Sequence, residues 1–135
     1  MKLYYLGFSG LFSASLLFSS TVIGADLCEN LHGKRIAVDA NGYEGTTWGV
    51  SLKKEQDGSF SFDDVMQMAG ESADKVMGRC KDRHIVFTRK REGSFEQVYD
   101  GWIFEKGGYK MAGTFSHNGL RQWGWCGSIL HPLPR

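Results

Sequence analysis

Residues 84–127 read HIVFTRKREGSFEQVYDGWIFEKGGYKMAGTFSHNGLRQWGWCG, and their punctuation decides the fold. Four β-rich runs are separated by three tight-turn signals, Glu92-Gly93-Ser94, Gly107-Gly108 and Asn118-Gly119. Glycine enters positive φ at little steric cost, so Gly-Gly and Asn-Gly between apolar runs mark β-hairpins. A chain that reverses at such short intervals builds an antiparallel meander.

Working outward, Asn41-Gly42 and Asp57-Gly58 add two further turns. Eight strand candidates result, at residues 34–40, 46–54, 59–63, 75–80, 83–91, 96–105, 109–116 and 121–130. The stretch 63–73 (DDVMQMAGESA) either extends the third strand or forms a short helical turn capped by Asp63 or Asp64. Regular short strands with short connections predict a single all-β domain, an antiparallel up-and-down β-barrel of about eight strands. Closure removes the exposed strand edges. The interior of such a barrel is just wide enough to be filled by side chains or to hold one small ligand.

Residues 1–25 read as a signal peptide. Lys2 is the sole charge before Asp26, a run of apolar and small residues follows from Leu3 to Ile23, and Gly24-Ala25 suits signal peptidase. The domain then occupies residues 26–135, 110 residues, enough for one modest core. No later apolar run approaches the roughly 20 residues that span a bilayer. The expected product is therefore secreted or periplasmic, with no membrane span after cleavage. Without Lys2 the 16 basic and 15 acidic residues balance, which gives no bulk attraction for nucleic acid or anionic membrane. The basic cluster Arg89, Lys90, Arg91 reads as a solvated hairpin end. In an oxidising compartment the three cysteines, Cys28, Cys80 and Cys126, imply one disulfide and one remaining thiol. Cys28 with Cys126 is the preferred pairing, because the two ends of a closed meander lie side by side.

If Gly107-Gly108 is a two-residue turn, Lys106 faces Tyr109, Phe104 pairs with Met111, Trp102 with Gly113, and Asp100 with Phe115. Trp102, Phe104, Met111 and Phe115 then share one apolar face, with a large Trp opposite a glycine as a tapered interior needs. Asp100 sits on that face and would require a partner. Arg89 lies opposite it if the 91–96 turn is even; with a three-residue turn Arg89 pairs with Gln97 and faces outward. Trp123 and Trp125 share a strand face, with Gly124 and Cys126 on the other.

No catalytic constellation stands out. His32, His84, His117 and His131 do not converge, no HxH or HExxH spacing exists, and the cysteines are too far apart for a compact zinc site. Nucleophile-elbow and phosphate-loop motifs are missing. No cofactor or metal is expected. The candidates for a ligand site are Trp48, Phe87, Arg89, Asp100, Trp102, Phe104, Met111, Phe115, Trp123 and Trp125, since ligand pockets combine apolar walls with a few placed polar groups.

Gly45-Thr46-Thr47-Trp48-Gly49-Val50-Ser51-Leu52, followed by Gln56-Asp57-Gly58-Ser59-Phe60, resembles the Gly-x-Trp opening strand and first hairpin of an avidin. Asn30-Leu31-His32-Gly33-Lys34-Arg35 resembles a lipocalin opening in which Arg35 stands where Trp is usual. Gly101-Trp102-Ile103-Phe104, Met111-Ala112-Gly113-Thr114-Phe115 and Trp123-Gly124-Trp125 are similar to the closing strands of such calycin-like barrels, a shape shared by small exported bacterial proteins. The resemblance implies the fold. It does not carry biotin contacts, because Val50 and Lys54 occupy the positions where avidins place Asn and Ser.

Two functions follow as expectations. The first is a non-enzymatic exported barrel that binds a small apolar or amphipathic ligand inside or at its mouth. The second is a secreted protein-interaction or inhibitor module with a packed core. A barrel cyclase or isomerase would need converging interior polar residues, for which Asp100 and Arg89 are the nameable pair.

Overall fold

The computed structural model describes residues 26–41, 43–67, 73–106 and 110–130. Residues 1–25, where the signal peptide is expected, and residues 131–135 lie outside the described residues. A short 3-10 turn, Glu29–Leu31, precedes nine strands: β1 (Arg35–Ala40), β2 (Tyr43–Gly49), β3 (Lys53–Lys54), β4 (Phe60–Gln67), β5 (Asp74–Lys81), β6 (His84–Arg91), β7 (Phe95–Ile103), β8 (Met111–His117) and β9 (Leu120–Leu130). Every pairing is antiparallel, and β1 lies between β2 and β9. β2 pairs with β4 through Thr47↔Gln67 and Trp48↔Met66, which closes an eight-stranded barrel. The two-residue β3 is a flap on β4. The 3-10 turn, the β3–β4 and β5–β6 connections, the end of β7 and the start of β8 lie at one end of the barrel, the lower; the end of β4, the start of β5 and the β6–β7 and β8–β9 turns lie at the other, the upper.

The turn chemistry acts as expected at Asn118-Gly119, where both residues take positive φ (48° and 72°) between the paired His117 and Leu120. Of the 63–73 stretch, residues 63–67 belong to the strand, with Asp63 and Asp64 paired to Met77 and Val76 inside β4; residues 68–72 lie outside the described residues. The second strand begins earlier than 46 and leaves the sheet at Gly49. From there Val50 exchanges backbone hydrogen bonds with Gly33 and Lys34 at the lower end.

The β7–β8 register corrects the sequence reading by one residue. Ile103, not Phe104, opposes Met111; Trp102 opposes Ala112, and Asp100 opposes Thr114. β7 ends at Ile103 and β8 begins at Met111, and the Phe104 N–H donates to the Lys110 carbonyl; the expected Gly107-Gly108 turn lies outside the described residues. Side chains alternate with period two, so one step of slip turns a whole strand face over. Tyr99, Gly101 and Ile103 point inward, whereas Asp100, Trp102 and Phe104 point to solvent, the two rings 52% and 46% exposed. On β8 the expected face is kept, with Met111 and Phe115 inside.

The 92–94 turn is the three-residue alternative, and Arg89 pairs with Gln97. Arg89 nevertheless faces inward, because it shares the buried face of β6 with Ile85 and Phe87. The disulfide also differs from the preferred pairing: Cys28 bonds to Cys80, and Cys126 is the free thiol. Cys126 sits on the outer face of β9, opposite in alternation to Trp125, while Cys80 is fully buried on the inner face of β5 beneath the N-terminal turn. The bridge and the buried Leu31 plug the lower end.

Candidate functional site

The barrel interior is filled by rings. Phe87 stands at its centre, stacked on Tyr99 at 4.5 Å, edge-on to Trp125 at 5.5 Å and tilted against Trp48 at 5.2 Å. Tyr99 continues the stack to Phe115 at 5.0 Å, and Phe115 meets the half-buried Trp123 at 5.5 Å. Two glycines show how tightly this is packed. A methyl group at Gly78 would come within 2.6 Å of the Phe62 ring, and one at Gly101 within 2.5 Å of the Trp125 ring. The large-against-small complementarity expected of a tapered interior is present, but Trp125 is the ring that lies over Gly101, not Trp102 over Gly113. Trp125 donates its indole N–H to the Asp100 carbonyl at 3.1 Å; the buried Trp48 N–H has no hydrogen-bond acceptor among the described residues.

Of the sequence candidates, Trp48, Phe87, Arg89, Met111, Phe115 and Trp125 meet inside the barrel, with Trp123 at its edge. Asp100, Trp102 and Phe104 are on the outside. There Asp100 Oδ1 lies 2.7 Å from His84 Nε2, and the His84 ring stacks on Trp102 at 4.7 Å.

The buried carboxylate is Asp74, which sequence reasoning missed. It accepts from Arg89 Nε at 2.6 Å through one oxygen and from Arg91 Nε at 2.6 Å through the other. Both guanidinium groups lie over the Phe95 ring, at 5.2 and 5.1 Å. A buried charge must be paired, and this one is paired twice. The available signal was its spacing: Asp74, Val76, Gly78 and Cys80 fall on one face of β5, so an acid there enters the barrel. Beside it the Tyr99 hydroxyl donates to Gln97, whose amide lies 3.1 Å from His117. Burial pushes the Tyr99 phenol upward, and the Arg89 guanidinium opposes that shift. These groups lock the upper end together.

The lower end is different. A pocket of about 320 Å³ opens between the N-terminal turn, the β5–β6 turn and the β7–β8 connection. Leu27, Ile103, Phe104 and Ile129 give it apolar walls, and Asn30, Arg83, Glu105 and Lys110 give it polar ones. Phe104, exposed on the outer face, is therefore also a wall of this opening. Neither Arg83, Lys110 nor Glu105 has a side-chain hydrogen bond or ion pair among the described residues. Arg83 also holds an unusual backbone. It and Asp82 form the two-residue β5–β6 turn with φ of 80° and 50°, where a non-glycine residue costs about 1 kcal/mol.

On the outer face of β9, Cys126 is opposite Asp39. Burial raises its thiol above the ordinary value, and the Asp39 carboxylate adds to the effect. Among the described residues no group of three His, Cys, Asp or Glu side chains is placed to hold a metal ion.

The fold and its openings define a closed, eight-stranded antiparallel barrel with a ring-filled interior and a pocket at its disulfide-plugged end. Compared with protein-family models, with curated proteins and with solved structures, the chain matches none.

Proposed function

We propose that this chain is an exported, non-enzymatic barrel that binds a small amphipathic ligand, and that it does so at the lower end instead of within the barrel. The observation that carries this reading is the contrast between an interior occupied by stacked rings and an open pocket with apolar walls and polar groups that have no partner among the described residues. Its volume of about 320 Å³ falls at the small end of ligand pockets. The leader-like residues 1–25 and the Cys28–Cys80 bridge support an oxidising compartment. Amide chemical shifts followed during titration with short-chain acids, alcohols, amines and aromatic metabolites test the reading. Saturable shifts at Leu27, Asn30, Arg83, Ile103 and Ile129 are expected. Shifts centred on Phe87 and Trp48 would move the site inside, and no saturable shift across the panel would end the proposal.

The exposed Trp102, held against His84, favours a second reading as a protein-interaction module, because Trp is prominent among interface hot spots. A photoreactive residue at position 102 in the producing cell should then yield a discrete protein adduct that the same residue at Thr114 does not. Equal or absent labelling at the two positions removes this reading.

A further inference from the structure

The geometry points to an anionic headgroup, a carboxylate or a similar oxyanion on a short apolar chain, as the ligand of the lower pocket; this rests on the amphipathic-ligand reading above. The charge of the pocket favours an anion. Two cations, Arg83 and Lys110, and one carboxylate, Glu105, line the pocket, and no other described side chain neutralises the cations. Guanidinium is suited to oxyanions because its parallel N–H groups match two oxygens at once. The turn that carries Arg83 favours the same ligand. Positive φ at both turn positions is the arrangement that Asn-Gly or Asp-Gly satisfies most cheaply. At the second position this chain has Arg83 at φ 80°, and the backbone there needs nothing from the side chain: its carbonyl accepts from the Ile103 N–H, which glycine would also allow. Strain kept at a pocket wall points from the outlier to the side chain it presents. The floor of the pocket is apolar. Leu27 and Ile129 are half-buried and Ile103 is 4% exposed, so an alkyl segment would find apolar walls beside the two cations.

Octanoate, octanol and octylamine share one chain and differ in headgroup, and titrating all three separates the claims. Octanoate should bind saturably with shifts at the pocket residues, octanol about tenfold more weakly, and octylamine more weakly still. Arg83→Gly should lower octanoate affinity about tenfold while the melting temperature holds or rises, because the strain is relieved. Lys110→Gln should weaken octanoate too, and Glu105→Gln should tighten it. If octanol binds as tightly as octanoate and Arg83→Gly changes neither, the pocket is real but the anionic headgroup is wrong. If none of the three binds, the amphipathic-ligand reading itself falls.

Discussion

The two ends of the barrel are closed by different chemistry. At the lower end a covalent bridge, Cys28–Cys80, and the buried Leu31 hold the N-terminal turn against the strands. At the upper end Asp74, Arg89 and Arg91 tie β5 to β6, with Phe95 beneath both guanidinium groups. At the lower end Arg83, Glu105 and Lys110 have no side-chain hydrogen bond or ion pair among the described residues, whereas Asp57 on the β3–β4 connection is paired with Arg79. An electrostatic clamp uses its charged side chains to hold the structure. The pocket, whose two cations have no partner among the described residues, lies at the disulfide end.

The largest effect should come from removing the covalent closure. The bridge spans a sequence separation of 52, for which loop-closure entropy alone is about 4 kcal/mol. Replacing both Cys28 and Cys80 by Ser should lower stability by that order in urea denaturation. It should also abolish pocket binding, because Leu27 and Asn30 flank the released cysteine. A double variant that binds octanoate normally would break the assignment of the lower end. At the upper end, Asp74→Ala leaves Arg89 buried opposite no carboxylate and should destabilise by about 3 kcal/mol. Pocket affinity should be unchanged in the folded fraction, which sets this end apart from the other. Replacing Asp74, Arg89 and Arg91 together by Leu, Met and Met should recover most of the loss, since an apolar substitute removes the desolvated charges as well.

Between the ends, Gly101→Ala tests the filled interior. The added methyl would meet the Trp125 ring at 2.5 Å and the Ala112 carbonyl at 2.6 Å, so overpacking should cost about 2 kcal/mol in thermal unfolding. A neutral result would mean that the centre has room to spare and would reopen it as a ligand site. The smallest effect concerns Asp64, whose carboxyl is raised above its ordinary value chiefly by burial, with Asp63 adding to the shift and the Ser51 N–H opposing it. A raised folded value means that protonated Asp64 is favoured by folding. Its contribution is present below the unfolded value of 3.8 and fades as pH rises through the folded one. Asp64→Asn should therefore be slightly stabilising at pH 7, and the advantage should vanish near pH 3 in paired melting curves.

Much of the architecture is readable from particular residues. Asn118-Gly119 places a hairpin where one forms, and the Trp123–Trp125 alternation puts those rings on one face and Cys126 on the other. The same alternation argues against Cys126 as the partner of an interior cysteine once the tryptophans are taken as inward. The face of β7 is not readable in this way. Trp102, Ile103 and Phe104 are three successive apolar residues, so alternation does not say which of them point inward. The pocket is harder still, because Leu27, Arg83, Lys110 and Ile129 are distant in sequence and share no motif.

The sequence by itself determined an antiparallel meander, because turn conformation is a local property of glycine and asparagine backbones and strand alternation is local too, whereas closure rests on the long-range β2–β4 pairing. Only the tertiary structure decided the β7–β8 register, the Cys28–Cys80 bridge, the entry of Asp74 into the barrel and the meeting of Arg83 with Lys110. Each of these depends on how strands far apart in the chain are staggered around a closed sheet. A stagger of one residue exchanges inside for outside, and turn chemistry alone does not fix it.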